Sequence, residues 1–306
     1  MNHLLKISDL SSAELFDILE LAAKLKAKQK MGQEHHLLRG KTLAMIFSKS
    51  STRTRISFEV GMHQLGGQAI YLNSQDIQLG RGETIYDTAN TMTRFVDGIM
   101  IRTFNHQDVI DFAKFGDVPV INGLTDLHHP CQALADLLTL SEIYGNLKDV
   151  KLAYVGDGNN VANSLMEACS LAGMTFSVAT PPGYECAPEV IDTVKIIAKK
   201  TGAQINICND AKEAVADSDA IYTDTWTSMG QEDEKQKRKE IFKEYQVNDE
   251  LFGYAKSSAV FMHCLPAYRE LEVTKRVIDG VRSKVFDQAE NRLHAQKAVM
   301  CKLMCK

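Results

Sequence analysis

Ser51, Thr52, Arg53 and Thr54 set three hydroxyls and a guanidinium side by side, just after an apolar run that ends at Phe47. The pattern predicts a helix starting near Thr52 with Ser51 as its cap. A helix start offers backbone N–H groups without intrahelical partners and a partial positive charge. With the added side chains, the chemistry on offer is the holding of a phosphate or similar anion. The same spacing also describes an ordinary capped helix whose arginines face water. Arg55 points away from Arg53 on such a helix and is expected in a structural ion pair.

Further along, His129-Pro130-Cys131-Gln132 puts a histidine at a predicted helix start, where a neutral imidazole can donate to a carbonyl. A lone histidine there is otherwise a structural residue. Asp224 closes the run AIYTDTW and is either an anion for a ligand or a turn former. His263 and Cys264 have the residue types of a base and a nucleophile. As neighbours on a strand they should point to opposite faces, which disfavours a thiol nucleophile. Taken alone, Cys264 reads as a small buried apolar residue. The turn VGDGNNVANS (155 to 164) superficially suggests dinucleotide binding, but Val161 stands where the third glycine is needed and no acid closes TFSVAT.

The elements that must position these residues form two alternations. A leading helix is marked by Ser11 and Glu14 at capping-box spacing, with Leu15, Ile18, Leu19, Ala22 and Leu25 at helical intervals. Short apolar runs follow at TLAMIF (42 to 47), QAIYL (68 to 72), GIMIR (98 to 102) and VPVING (118 to 123). A second series comprises KLAYVG (151 to 156), TFSVAT, QINICN, AIYTDTW, AVFMHC (259 to 264) and VFDQ. Nearly continuous apolar strands spaced by helices predict parallel sheets covered on both faces. The expected fold class is α/β, with two doubly wound parallel-sheet domains and the site in the cleft between them. The Gly145-Asn146 pair is the break signal. Residues 1–145 form the expected first domain, with helix 289–306 packing back on it, and 146–288 the second. Segment 231 to 245 is dense in both charge signs and is expected to be solvated, with room for a mobile lid in 227–245.

The 306 residues are 44% hydrophobic and 24% charged, with a formal net charge of −4. Such a balance gives no sign of a nucleic-acid partner, so any anion must meet a local cation cluster. No run of 18 apolar residues exists and MNHLLKISDL lacks signal-peptide features, so a cytoplasmic protein without membrane attachment is expected. Seven scattered cysteines without a CxxC pair point to reduced thiols and no metal site.

STRTR followed by SFEV resembles the carbamoyl-phosphate loop of the aspartate and ornithine carbamoyltransferase family. The family's HPxQ and HCLP signatures stand at 129–132 and 263–266, with QLGRGET at 78 to 84, Arg102 and QAENRLHAQKAVM at 288 to 300. The resemblance covers essentially the whole chain. It implies that Ser51, Thr52, Arg53, Thr54, Arg102 and Arg292 hold the phosphate and carbonyl of carbamoyl phosphate. It further implies that His129 and Gln132 bind the carbamoyl group, and that Cys264 and Leu265 line the site where an amine attacks directly. Gln78 resembles the residue this family supplies from a neighbouring subunit, implying a homotrimer or a multiple of trimers with shared sites. Asp224 to Gly230 resembles the SMG loop of the ornithine-using branch. That likeness implies L-ornithine as acceptor, met by Asn163, Asp224, Ser228 and Met229, with L-citrulline as product and no cofactor. The catalytic set so implied is Arg102, His129, Gln132, Cys264 and Arg292. Alternatives are another amine acceptor, such as putrescine or aspartate, or a noncatalytic carbamoyl-phosphate-binding module.

Overall fold

The computed structural model describes residues 1–227 and 232–305. They separate into two compact units, residues 1–138 with 290–306 and residues 139–289. In the first unit the order is α1 (Ser12–Lys30), β1 (Thr42–Phe47), α2 (Thr52–Gln64), β2 (Gln68–Asn73), α3 (Ile85–Met92), β3 (Gly98–Arg102), α4 (His106–Phe115) and β4 (Val120–Leu124). Helix α5 (Pro130–Tyr144) runs on into the second unit. There follow β5 (Lys151–Val155), α6 (Asn160–Ala172), β6 (Thr175–Ala179), α7 (Pro188–Thr201), β7 (Gln204–Cys208), α8 (Ala211–Val215) and β8 (Ala220–Tyr222). The chain continues through α9 (Lys235–Ile241), α10 (Asp249–Phe252), β9 (Val260–Met262), α11 (Lys275–Ile278) and α12 (Val285–Met304). Among the described residues no helix is long and apolar enough to cross a membrane.

Both sheets are parallel throughout, in the orders β2-β1-β3-β4 and β7-β6-β5-β8-β9. Their inner strands explain this choice. β1 and β5 are buried almost end to end and β3 completely, so they need cover on both faces. The outer strands β2 and β7 are half polar, as edges should be. Ile46, Ile99, Ile101 and Val120 pack with Val109 and Phe112 of α4 in the first core. Ala153, Val155, Ile221 and Phe261 pack with Val215, Leu251 and Val277 in the second.

Each sheet reverses its winding at one place. In the first, the chain leaves β1 for β2 on one side and later adds β3 on the other; in the second, β5 plays the same part between β6 and β8. The loops leaving β1 and β3, or β5 and β8, therefore diverge to opposite sides and open a crevice at the strands' carboxyl ends. All the candidate side chains near 51, 102, 159 and 224 are on those loops or beside them.

Several elements differ from the expectation. VFDQ forms the first turn of α12 instead of a strand, with Gln288 N–H donating to Lys284 O. AVFMHC stops pairing at Met262, because His263 N–H is taken by the Gln288 side chain and Leu265 turns the chain at φ 58°. The charged run around 231 to 245 is not uniformly solvated, since Arg238 and Phe242 are buried.

Candidate active site

In the first unit, Ser51 caps α2: its Oγ accepts Thr54 N–H at 3.3 Å and donates to Thr54 Oγ1 at 3.1 Å. Thr54 is thereby fixed one turn into the helix, where its hydroxyl oxygen meets two guanidiniums. Arg102, the last residue of β3, approaches at 3.4 Å and Arg292 of α12 at 3.1 Å. Register places Arg102 opposite Phe47, so the arginine comes out where β1 gives way to the Ser48–Ser51 loop. Arg292 also donates to Gln132 Oε1 at 2.9 Å, and Gln132 Nε2 donates to Asp136 Oδ1 at 2.8 Å. A guanidinium can only donate and a carboxylate only accept, so the amide of Gln132 has one orientation open to it.

Arg102, His129, Gln132 and Arg292 are all buried. Burial, reinforced by Arg292, Arg102 and Arg53, drives the His129 pKa well below its ordinary value. His129 is therefore a neutral imidazole, a hydrogen-bond donor that brings no charge of its own. Thr52 is exposed and Arg53 half-buried at the helix start. Two buried guanidiniums meeting at one hydroxyl, next to the first turn of a helix, make a strong receptor for an anion that gains charge during a reaction. Gln78 lies exposed on the short turn Gln78–Arg81. Arg55 pairs with Glu59 at 2.9 Å and lies over the ring of Tyr71.

In the second unit, Asp224 follows β8 and is held from two sides. Asn159 Nδ2 donates to its Oδ2 at 2.8 Å and Cys264 Sγ to its Oδ1 at 3.0 Å. Asn159 is also the cap of α6, accepting from Val161 and Ala162 N–H. The turn before it is tight: a Cβ on Gly158 would lie 2.3 Å from the Glu185 carbonyl carbon, which only glycine avoids. One turn into α6, buried Asn163 accepts Ala187 N–H at its Oδ1, so the group it can direct at a carboxylate is its amide nitrogen. Half-buried Leu265 follows Cys264 with its N–H donated to His263 Nδ1 at 2.9 Å. Ser228 and Met229 lie outside the described residues.

His263 and Cys264 do not sit on a strand, and the opposite-face argument fails for that reason. One ligand atom each from Asp224, His263 and Cys264 lies within 4.8 Å of the others. These are types a divalent transition metal accepts. The imidazole is nevertheless committed at both nitrogens: Nδ1 accepts from Leu265, and Nε2, which then carries the proton, faces Glu272 at 3.3 Å. It cannot ligate a metal without losing the Leu265 bond or the proton facing Glu272. The thiol of Cys264 donates to a carboxylate, which orders Asp224.

Asp136, Asn159 and Arg238 were not among the residues singled out by sequence. Asp136 had a signal, the i,i+4 spacing from Gln132 in a helix, and Asn159 had the preference of asparagine for a helix cap.

Residues 2–142 match the carbamoyl-P binding domain of the aspartate/ornithine carbamoyltransferases, and residues 148–303 match their Asp/Orn binding domain. The chain belongs to this family. It is 55% identical over 300 residues to an ornithine carbamoyltransferase of Anoxybacillus flavithermus, covering 98% of this chain and 96% of the relative. It is 56% identical over 301 residues to the anabolic ornithine carbamoyltransferase of Pyrococcus furiosus, covering 98% and 96%. The solved ornithine carbamoyltransferase structure from P. furiosus superposes with a TM-score of 0.96 over 99% of this chain and 97% of that one. The family's two domains thus correspond to the two parallel sheets, and the clusters around Thr54 and around Asp224 fall one in each.

Proposed function

We infer that this protein is an ornithine carbamoyltransferase, moving the carbamoyl group of carbamoyl phosphate to the δ-amine of L-ornithine to give L-citrulline and phosphate. The observation that carries this reading is the Arg102–Thr54–Arg292–Gln132 cluster at a capped helix start, in a chain that matches both domains of the family. The first domain is the carbamoyl-phosphate side and the second, with its ordered Asp224, the ornithine side.

In this reading Ser51, Thr52, Arg53, Thr54 and Arg102 take the phosphate, while Arg292 and neutral His129 reach the carbonyl oxygen. Gln132 Oε1 accepts from the carbamoyl NH₂. The δ-nitrogen lone pair attacks the carbamoyl carbon, a C–N bond forms, and the C–O bond to phosphate breaks with its electrons passing to the phosphate oxygen. Arginines that never titrate stabilise the charge accumulating there. A proton leaves the attacking nitrogen, and the departing phosphate is a base able to take it. Presenting the amine neutral near pH 7 to 8 costs about 3–5 kcal/mol from its reference pKa, which the neighbouring cations and desolvation offset. Asp224, with both oxygens directed by Asn159 and Cys264, receives the α-ammonium, and Asn163, Ser228 and Met229 complete the acceptor side. Leu265 lines it with Cys264. No cofactor or metal enters the reaction.

Further parts of the proposal follow from chemistry and likeness. The P. furiosus relative is named anabolic, which favours arginine biosynthesis as the use of the product. A thiol ordered on Asp224 suits a reducing cytoplasmic setting. The likeness of Gln78 to the residue this family supplies from a neighbouring subunit supports a homotrimer in which Gln78 serves a neighbour's site. The deciding experiment is citrulline formation from carbamoyl phosphate and ornithine, beside parallel reactions with putrescine and aspartate. Citrulline should dominate; carbamoylputrescine as the main product would overturn the choice of acceptor.

A further inference from the structure

Helix α9 shows charge on nearly every face, yet one of its cations is withdrawn from water. Lys235, Lys237 and Lys239 are exposed, whereas Arg238 is 6% exposed. Its Nη1 donates to Asp157 Oδ2 at 3.0 Å and to Trp226 O at 2.9 Å, and its Nε donates to Glu234 Oε2 at 2.9 Å. The guanidinium lies over Tyr184, with Phe242 also close, their ring centroids 4.9 and 5.9 Å away. Both Nη1 contacts are on crevice loops. Asp157 belongs to the loop after β5, two residues before the Asn159 that holds Asp224, and Trp226 belongs to the loop after β8, two residues beyond Asp224.

We propose that Arg238 is a positioning residue for the acceptor side, clamping the loop after β5 to the loop after β8 and so setting the geometry in which Asp224 receives the amino acid. The proposal rests on the ornithine reading of Asp224. Ion pairs buried to this degree are weak evidence for stability, because desolving both partners offsets most of their attraction. They are better at fixing register, and here the register fixed is that of two loops carrying ligand-facing groups. A lysine cannot substitute: one ammonium on a flexible stem lacks the planar fork that reaches three oxygens while lying over the Tyr184 ring. Asp157 and Trp226 touch no substrate in this account, and Arg238 acts through them.

The test uses the full-length enzyme with Arg238→Lys, Arg238→Met and Asp157→Asn, alone and, for the last two, combined. Citrulline kinetics supply KM for ornithine, and direct binding of inorganic phosphate reports the donor side. Arg238→Met is expected to raise ornithine KM by about tenfold or more while phosphate affinity stays within about twofold. Combining it with Asp157→Asn should add little, since both remove one interaction. If Arg238→Met does not fold, Arg238→Lys keeps the charge and still loses the fork, and should show the same one-sided loss. An unchanged ornithine KM in the soluble variants, or equal losses of ornithine and phosphate binding, would overturn the positioning role. A wild-type enzyme that makes no citrulline would instead overturn the acceptor reading on which the role depends.

Discussion

A buried histidine beside three arginines has one protonation state open to it at neutral pH, and this separates two uses of His129. An imidazolium would donate a proton to the carbonyl, whereas a neutral ring donates only a hydrogen bond. Burial and the charges of Arg292, Arg102 and Arg53 place it in the second class. The expected outcome is that wild type and His129→Gln show the same shape of kcat/KM for carbamoyl phosphate between about pH 5.5 and 7.5, differing in height alone. An inflection near the ordinary histidine value, present in the wild type and lost in the variant, would sink the neutral-donor role. Asp157 supplies the opposite case, a carboxyl pushed up to about 6 because burial outweighs the pull of Arg238, with Asp224 and Glu234 adding repulsion and Tyr154 and Cys186 also close. Since its folded value lies above the ordinary 3.8, the folded protein keeps a proton that the unfolded chain has lost between roughly pH 4 and 6. Its contribution is thus full below pH 4 and declines as pH rises through 6, by at most about 3 kcal/mol. Denaturant unfolding across this range should show that slope in the wild type and lack it in Asp157→Asn; parallel curves would remove it. At this scale the sequence disclosed residues whose neighbours in the chain share their task, such as Ser51 to Thr54. Asp136, Asn159 and Arg238 act through partners 4, 65 and 81 positions away, and the last sits in a charged run that hides it.

Strand-to-helix turns do most of the positioning, and the two that matter are built differently. The turn into α2 relies on side-chain capping by Ser51, whereas the turn into α6 relies on Asn159 and on a backbone approach that excludes any Cβ at Gly158. Gly158→Ala must therefore displace the Glu185–Cys186 backbone or the turn itself. A loss of about 2 kcal/mol or more in unfolding free energy is expected, with weaker ornithine binding and phosphate affinity preserved. Retention of wild-type stability would mean that the 183–187 segment gives way freely. Parallel inner strands were legible because burial on both faces writes them as unbroken apolar runs: TLAMIF and GIMIR coincide with β1 and β3. Strand ends were not. AIYTDTW and AVFMHC run on past Tyr222 and Met262, where pairing stops, and Thr223, Asp224 and His263 beyond those points are buried as well. VFDQ misled because Val285 and Phe286 give the first turn of a helix a strand's composition, although Val285 is buried there and Phe286 exposed.

For the whole molecule, a formal charge of −4 means that no long-range field gathers an anionic acyl phosphate, and attraction must come from the few buried cations at the end of β1 and β3. Two sheets with one reversal each supply two crevices, and in the proposed reaction each takes one reactant. The proposed sharing of sites among subunits belongs to this scale, and subunit mixing tests it. If Gln78 completes a neighbour's site, a site contains Arg292 from one subunit and Gln78 from another. Gln78→Ala and Arg292→Ala should each be nearly inactive alone. When they are unfolded together in equal amounts and refolded, about one site in four would receive both intact residues, giving about a quarter of wild-type activity per site. Sites made wholly from one chain would leave the mixture at the average of the two parents. Recovery that depends on co-refolding, and is absent when the folded variants are merely combined, would tie the gain to subunit exchange, and the absence of any gain would confine Gln78 to its own subunit.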